Sequence, residues 1–214
     1  MDGVGAVPRG SAAEEIPVHH RRATTDDAEA MAEVITRAFA TDPLWGPALA
    51  RPDGATHHLR PYWDLYVAGA LRFDCSGIAG GVDALTVWIP PGEEEMSPDQ
   101  YDAVLALLRA ELPSAYDDLL EVFARFDAAH PHDEPHYYLS LFATRPESRG
   151  RGIGMGLLRA DLAAYDAEGV PTYLESSNPA NDARYGAVGY RAVGRFEHPS
   201  TGAVVTTMWR PVGG

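Results

Sequence analysis

The chain contains no lysine. All 17 of its basic residues are arginine, set against 31 aspartates and glutamates. Without a lysine, a phosphate-binding loop of the kind that ends in Gly-Lys-Ser/Thr is excluded. The single cysteine, Cys75, rules out an internal disulfide framework and a cysteine-rich zinc site. No run approaches the ~18 consecutive apolar residues that a membrane-spanning helix needs. Met1 to Glu15 lacks the apolar core of a secretory signal. These absences predict a cytoplasmic protein with no membrane association. A net charge of −14 is opposite to the balance of a general nucleic-acid binder. Genomic base composition produces an all-arginine bias of this kind, so the positions of the arginines carry more information than their number.

What is present is ordinary globular material, 214 residues with 45% hydrophobic and 22% charged. Residues 1–15 read as a disordered leader, and Val7-Pro8-Arg9-Gly10-Ser11 matches the core of a common protease-cleavage tag. The folded domain is expected over 16–214. Pro17 to Ala23 reads as a short strand, and Thr24 caps a helix whose apolar residues Met31, Val34, Ile35, Ala38 and Phe39 share one face. Leu44 to Gly54 reads as loop. A second helix is expected from Thr56 to about Phe73, with Leu59, Trp63, Tyr66 and Ala70 aligned. A hairpin turns at Ala79-Gly80-Gly81 and ends at Pro90-Pro91-Gly92. Two helices follow within 93–131, then a strand over His136–Ala143, a helix over Gly152–Glu168, a strand over Val170–Ser176, a short helix over Asn181–Ala187 and a final hairpin.

The most informative stretch is Arg145-Pro146-Glu147-Ser148-Arg149-Gly150-Arg151-Gly152-Ile153-Gly154, between a strand and a helix. The start of a helix presents unpaired amides and the positive end of its dipole. Glycines let that backbone approach an anion closely, which makes a pyrophosphate cradle. Arg145, Arg149, Arg151 and Arg159 supply a local positive window in an acidic chain. A solvated glycine-rich turn is the plain alternative. A dinucleotide fold is the other, but its fingerprint belongs in an early strand–helix unit, and here the motif lies two-thirds along the chain.

Arg149, Gly152 and Gly154 fill the Arg/Gln-x-x-Gly-x-Gly/Ala pattern, so the segment resembles motif A of the GNAT acyltransferase superfamily. Leu174-Glu175-Ser176-Ser177-Asn178, with Asn181, Tyr185, Gly189 and Tyr190, is similar to the next landmark of that superfamily, with Tyr190 standing where phenylalanine is usual. Ala38-Phe39-Ala40-Thr41-Asp42-Pro43 and Val87-Trp88-Ile89-Pro90-Pro91 are similar to the subgroup containing puromycin N-acetyltransferase.

The resemblance implies a mixed α/β fold. Its mostly antiparallel sheet would be splayed between two central parallel strands, with helices on both faces and a helical insertion over 93–131. It implies acetyl-CoA as donor, no metal, and direct attack by an amine in a ternary complex. The acceptor is expected to be a primary amine of a small, cationic molecule such as an antibiotic or secondary metabolite. The alternatives are acetylation of a protein or peptide N-terminus and a non-catalytic acyl-CoA sensor. The protein is expected to be a monomer or a homodimer.

By the same carry-over, Phe142, Ala143, Thr144, Arg149, Gly150, Arg151, Gly152, Ile153, Gly154 and Asn181 would hold the donor. Tyr185 would protonate the departing thiolate, since a phenol with pKa about 10 keeps its proton at neutral pH. Glu175 and Ser140 are the candidates for deprotonating the amine; a structural carboxylate and an ordinary strand serine are the competing readings. Asp42, Trp45 and Tyr62 are candidates for holding the acceptor, with a turn-forming aspartate and core aromatics as the alternatives. Twelve acidic residues against two arginines over 92–135 read as a cation-attracting or simply solvated face. His57, His58, His130 and His132 lack metal-site spacing and are expected at the surface.

Overall fold

A computed structural model describes residues 19–214; the expected leader lies outside them. Seven strands form one sheet in the order β1-β2-β3-β4-β5-β7-β6. They are β1 (His20–Arg22), β2 (Gly77–Ala79), β3 (Ala84–Ile89), β4 (Tyr137–Thr144), β5 (Thr172–Ser176), β6 (Arg191–Glu197) and β7 (Val204–Arg210). Every neighbouring pair is antiparallel except β4–β5. Helices α1 (Ala28–Phe39), α2 (Trp45–Ala48), α3 (Leu59–Ala70), α4 (Pro98–Glu111), α5 (Tyr116–Ala129), α6 (Ile153–Glu168) and α7 (Asp182–Gly186) complete the chain.

Helices cover both faces of the sheet, so β3 is buried at all six positions and reads as an unbroken apolar run interrupted only by Thr86. On one face α1, α3, α4 and α5 pack over Leu85, Val87 and Leu141. On the other, α6 sets Leu158, Leu162 and Tyr165 against Trp88, Leu139, Leu174 and Met208. A polar node crosses that second face. Asp161 of α6 accepts from Thr86 Oγ1 at 2.6 Å and Trp88 Nε1 at 3.0 Å, with Arg22 Nη1 at 3.2 Å. Hydrogen bonds of this kind make the buried carboxylate tolerable and fix the rotation of α6.

Two local readings are corrected. Leu44 to Gly54 is not all loop: α2 forms one turn because the Leu44 and Trp45 amides donate to Asp42 Oδ1 at 2.9 and 3.0 Å. α3 is shorter than expected and rotated in phase. It buries Tyr62, Trp63, Val67, Gly69 and Ala70, leaving Leu59 and Tyr66 only partly covered.

The feature that positions the site is the short pairing of β4 with β5. Tyr137, Tyr138 and Leu139 pair with Thr172, Tyr173 and Leu174, and the ladder then stops. At that point β4 bulges. Leu139 pairs with Trp88 and Leu141 with Val87, which leaves Ser140 as the extra residue. A bulge bends and twists its strand, and here it turns β4 away from β5. β5 meanwhile keeps pairing with β7 through Glu175 and Ser176.

Candidate active site

The gap between the diverging strands opens into a cleft of about 1360 Å³. One end is built by the turn between β4 and α6. Gly150 and Gly152 take φ of +76° and +77°, in the left-handed region that favours glycine. Gly152 is the residue that enters α6. Gly154 meets a different constraint, because a Cβ there would lie 2.4 Å from Thr144 Oγ1. The absent side chain lets the first turn of α6 press against the end of β4. Asp83 holds the turn from behind. It accepts from Ser148 Oγ at 2.9 Å, and its carbonyl accepts from the Arg145 amide at 2.7 Å. The opening amides of α6 have no helical partners and line the cleft with Arg149.

At the strand split, Ser140 Oγ donates to Glu95 Oε1. Glu175 faces the same space. Its side chain is 2% exposed, its Oε2 has no hydrogen-bond partner, and its Oε1 lies 3.7 Å from His130 Nδ1. Burial, opposed by the Ser140 hydrogen bond and assisted by the charge of Glu175, pushes the Glu95 carboxyl up to about 7. Tyr185 of α7 lines the cleft with its ring 6.3 Å from Phe142. Burial, and then nearby Asp42, raise its phenol above the ordinary value, so it remains protonated at neutral pH.

The other end is aromatic and acidic. Trp45 stacks on Phe126 at 5.8 Å between ring centroids, and Tyr66, Tyr101, Phe123 and Asp127 complete that wall.

The sequence model of the Acetyltransferase (GNAT) family matches residues 89–190, from the end of β3 through the glycine turn to the residue after α7 that opens the last hairpin. That segment is a GNAT acetyltransferase segment. Solved GNAT structures share the fold of the chain. A histone acetyltransferase HPA2 and related acetyltransferase from Corynebacterium glutamicum is 24% identical with a TM-score of 0.69, covering 93% of this chain and 98% of that one. A polyamine N-acetyltransferase from Drosophila melanogaster that forms N-acetylagmatine is 13% identical with a TM-score of 0.64, covering 91% and 99%. Arylalkylamine N-acetyltransferase 2 from Aedes aegypti is 12% identical with a TM-score of 0.62, covering 92% and 100%. At these identities the likeness is one of fold.

In this GNAT segment, Phe142, Ala143, Thr144, Arg149, Gly150, Gly152, Ile153, Gly154 and Asn181 all line the cleft, together with Ser140, Glu175 and Tyr185. Arg151 is exposed and does not line it. Asn181 accepts from Arg184 Nη1 at 2.9 Å and makes no side-chain hydrogen bond to the amides that open α7. Asp42 lines the cleft but its carboxylate is occupied. Besides the α2 amides it accepts from Ser177 Oγ at 2.8 Å, so it ties α1 to β5 and is not a free cation site. Tyr62 does not reach the cleft; it is fully buried and bonds Tyr66, hydroxyl to hydroxyl, at 2.9 Å.

Two groups of residues escaped the sequence reading. Glu95 is one of three consecutive glutamates, and nothing in the sequence marks it as the inward one. His58 is not a surface residue, and His130 is half-buried. His58 is buried and bonds the Leu49 carbonyl through Nε2 at 2.8 Å. His130 packs its ring on Tyr138 and Tyr173, 4.9 and 5.1 Å away. Its Nε2 lies 3.2 Å from Nε2 of His136, whose Nδ1–H donates to the Glu134 carbonyl at 2.6 Å. Among the described residues no helix is long and apolar enough to cross a membrane, and no group of three or more His, Cys, Asp or Glu side chains comes together as a metal site.

Proposed function

We propose that the protein moves an acetyl group from acetyl-CoA to the primary amine of a small cationic molecule. One observation carries this reading: a single cleft joins an anion-binding helix start at one end to an acidic, aromatic chamber at the other, with the strand split between them. The left-handed glycines and free amides at the mouth of α6 fit a diphosphate. The β4 edge from Ser140 to Thr144 has no partner strand on the β5 side, and it fits the amides of a pantetheine arm. Amides of that edge are placed to stabilise charge on a thioester carbonyl oxygen. Tyr185 holds the proton that the departing thiolate takes.

The acceptor chamber supports a small molecule over a peptide. Its wall is formed by α5, by the 90–97 loop and by the start of α4, which we take as an insertion roofing the site. Structural neighbours named for agmatine and arylalkylamine acetylation point to the same class of acceptor. An antibiotic is one member of that class.

The test is a thiol-release screen with acetyl-CoA against alkylamines, aminoglycosides, puromycin-like nucleosides and peptides. Saturable turnover with small amines and none with peptides is expected. Turnover confined to peptides, or donor binding without turnover, overturns the reading.

A further inference from the structure

An amine acceptor arrives as an ammonium, and an alkylamine with pKa about 10 is roughly one part in a thousand neutral at pH 7. Something at the strand split must remove a proton before nitrogen can attack. Glu175 is placed for docking the cation. Its side chain is buried at the edge of the cleft, and one oxygen has no hydrogen-bond partner, a costly state for a carboxylate unless a ligand supplies the missing partner. Glu95 sits across the same space and is held there by built features. Ser140, the bulge residue, donates to its carboxylate. Its backbone lies in a notch on α3, because a Cβ on Gly69 would come within 2.3 Å of the Glu95 carbonyl oxygen. Arg72 Nη2 donates to the Glu94 carbonyl at 2.6 Å, and Ser97 caps α4 immediately afterwards. The loop is therefore pinned on both sides of this residue.

We propose that Glu95 takes the proton from the acceptor ammonium, with Ser140 fixing its carboxylate at the strand split and Glu175 docking the cation. The assignment rests on the acetyltransferase reading above. The ammonium N–H bond breaks toward a Glu95 oxygen, and the freed electron pair forms the new N–C bond to the acetyl carbon as the C–S bond breaks. Of the two protons the nitrogen loses, the one shed after the N–C bond has formed returns to the Tyr185 oxygen, which has given its own proton to sulfur. The other rests on Glu95 and leaves to solvent through the open cleft. The titratable groups facing Glu95 come from four directions: Glu175 on β5, His130 after α5, Tyr62 and Tyr66 on α3, and Tyr138 on β4. Burial and the Glu175 charge place its titration near neutrality, where a base is most effective.

The test compares Glu95→Gln with wild type on pairs of acceptors of similar shape, a strongly basic alkylamine and a hydrazide or arylamine whose conjugate acid has a pKa well below neutral. Wild-type kcat/KM for the alkylamine should rise with pH through an apparent pKa of about 7. Glu95→Gln should lose that limb and fall by about 10²–10⁴-fold on the alkylamine. On the weakly basic partner, already neutral, it should fall far less. Gly69→Ala keeps the carboxylate but displaces its loop, and should lower alkylamine turnover by about 10²-fold with acetyl-CoA affinity unchanged by calorimetry. An equal loss on both members of each pair, or wild-type turnover in Glu95→Gln, overturns the role of Glu95 alone. Wild-type protein that binds acetyl-CoA and acetylates no amine overturns the acetyltransferase reading and this assignment with it.

Discussion

Tyr185 and Asp42 show how neighbours decide what a side chain does. Asp42 is within reach of the cleft, yet two amides and the Ser177 hydroxyl consume its carboxylate, leaving its charge to act on Tyr185 from a distance. A negative charge beside a half-buried phenol stabilises the neutral form, so Tyr185 keeps its proton until charge develops on the departing sulfur within its reach. Tyr185→Phe removes only that proton donor. Turnover should fall by about 10²–10⁴-fold. Acetyl-CoA affinity by calorimetry should stay at the wild-type value, because the ring still packs near Phe142. Full activity in this variant, or donor binding lost in parallel with turnover, is incompatible with a role at the leaving group. The cleft residues most legible in the sequence are those whose type is dictated by backbone geometry, such as Gly150, Gly152 and Gly154. Glu95 was illegible because Glu93 and Glu94 share its chemistry, and contacts from distant segments, the Gly69 notch and the Ser140 hydroxyl, mark the one that turns inward.

At the level of elements, the site exists because β4 bulges where its pairing with β5 ends and because α6 starts hard against the end of β4. The strands themselves were readable from apolar runs bounded by prolines and glycines. The phase of α3 was not, since Tyr62 and Tyr66 both fit a half-buried face, and it is Tyr62 that packs against both Trp45 and Trp63. The half-burial of His130 was also hidden, because it comes from tyrosines of β4 and β5 that pack on it from outside its own segment. The contact between α6 and β4 allows a direct trial. Gly154→Ala inserts a methyl 2.4 Å from Thr144 Oγ1, and the helix start must move off the strand. Overpacking of this kind costs about 1–3 kcal/mol, to be read from the urea midpoint. The same shift carries the free amides away from their shared focus, so acetyl-CoA affinity should fall as well. A variant with wild-type stability and donor affinity would mean that this contact does not set the cradle.

Across the whole molecule the net charge of −14 is unevenly used. Arg149 on the glycine turn and Arg184 on α7 stand in the cleft, while Glu94, Glu95, Asp127 and Glu175 face its acceptor end. On the proposed function, a polyanionic donor and a cationic acceptor would be drawn to different parts of one opening, and α4 and α5 extend the acidic surface beyond it. Fields of this kind raise encounter rates for oppositely charged ligands and are screened beyond about 8 Å at physiological salt. The consequence is measurable without any substitution. As ionic strength rises at fixed pH, kcat/KM for a cationic alkylamine should fall steeply, whereas that for an uncharged amine of similar shape should change little under the same donor concentration. Because kcat is read after the acceptor has bound, it should change less than kcat/KM for both. Equal salt dependence for the charged and uncharged acceptors would show that the acidic surface does not steer the substrate and belongs to solvation alone.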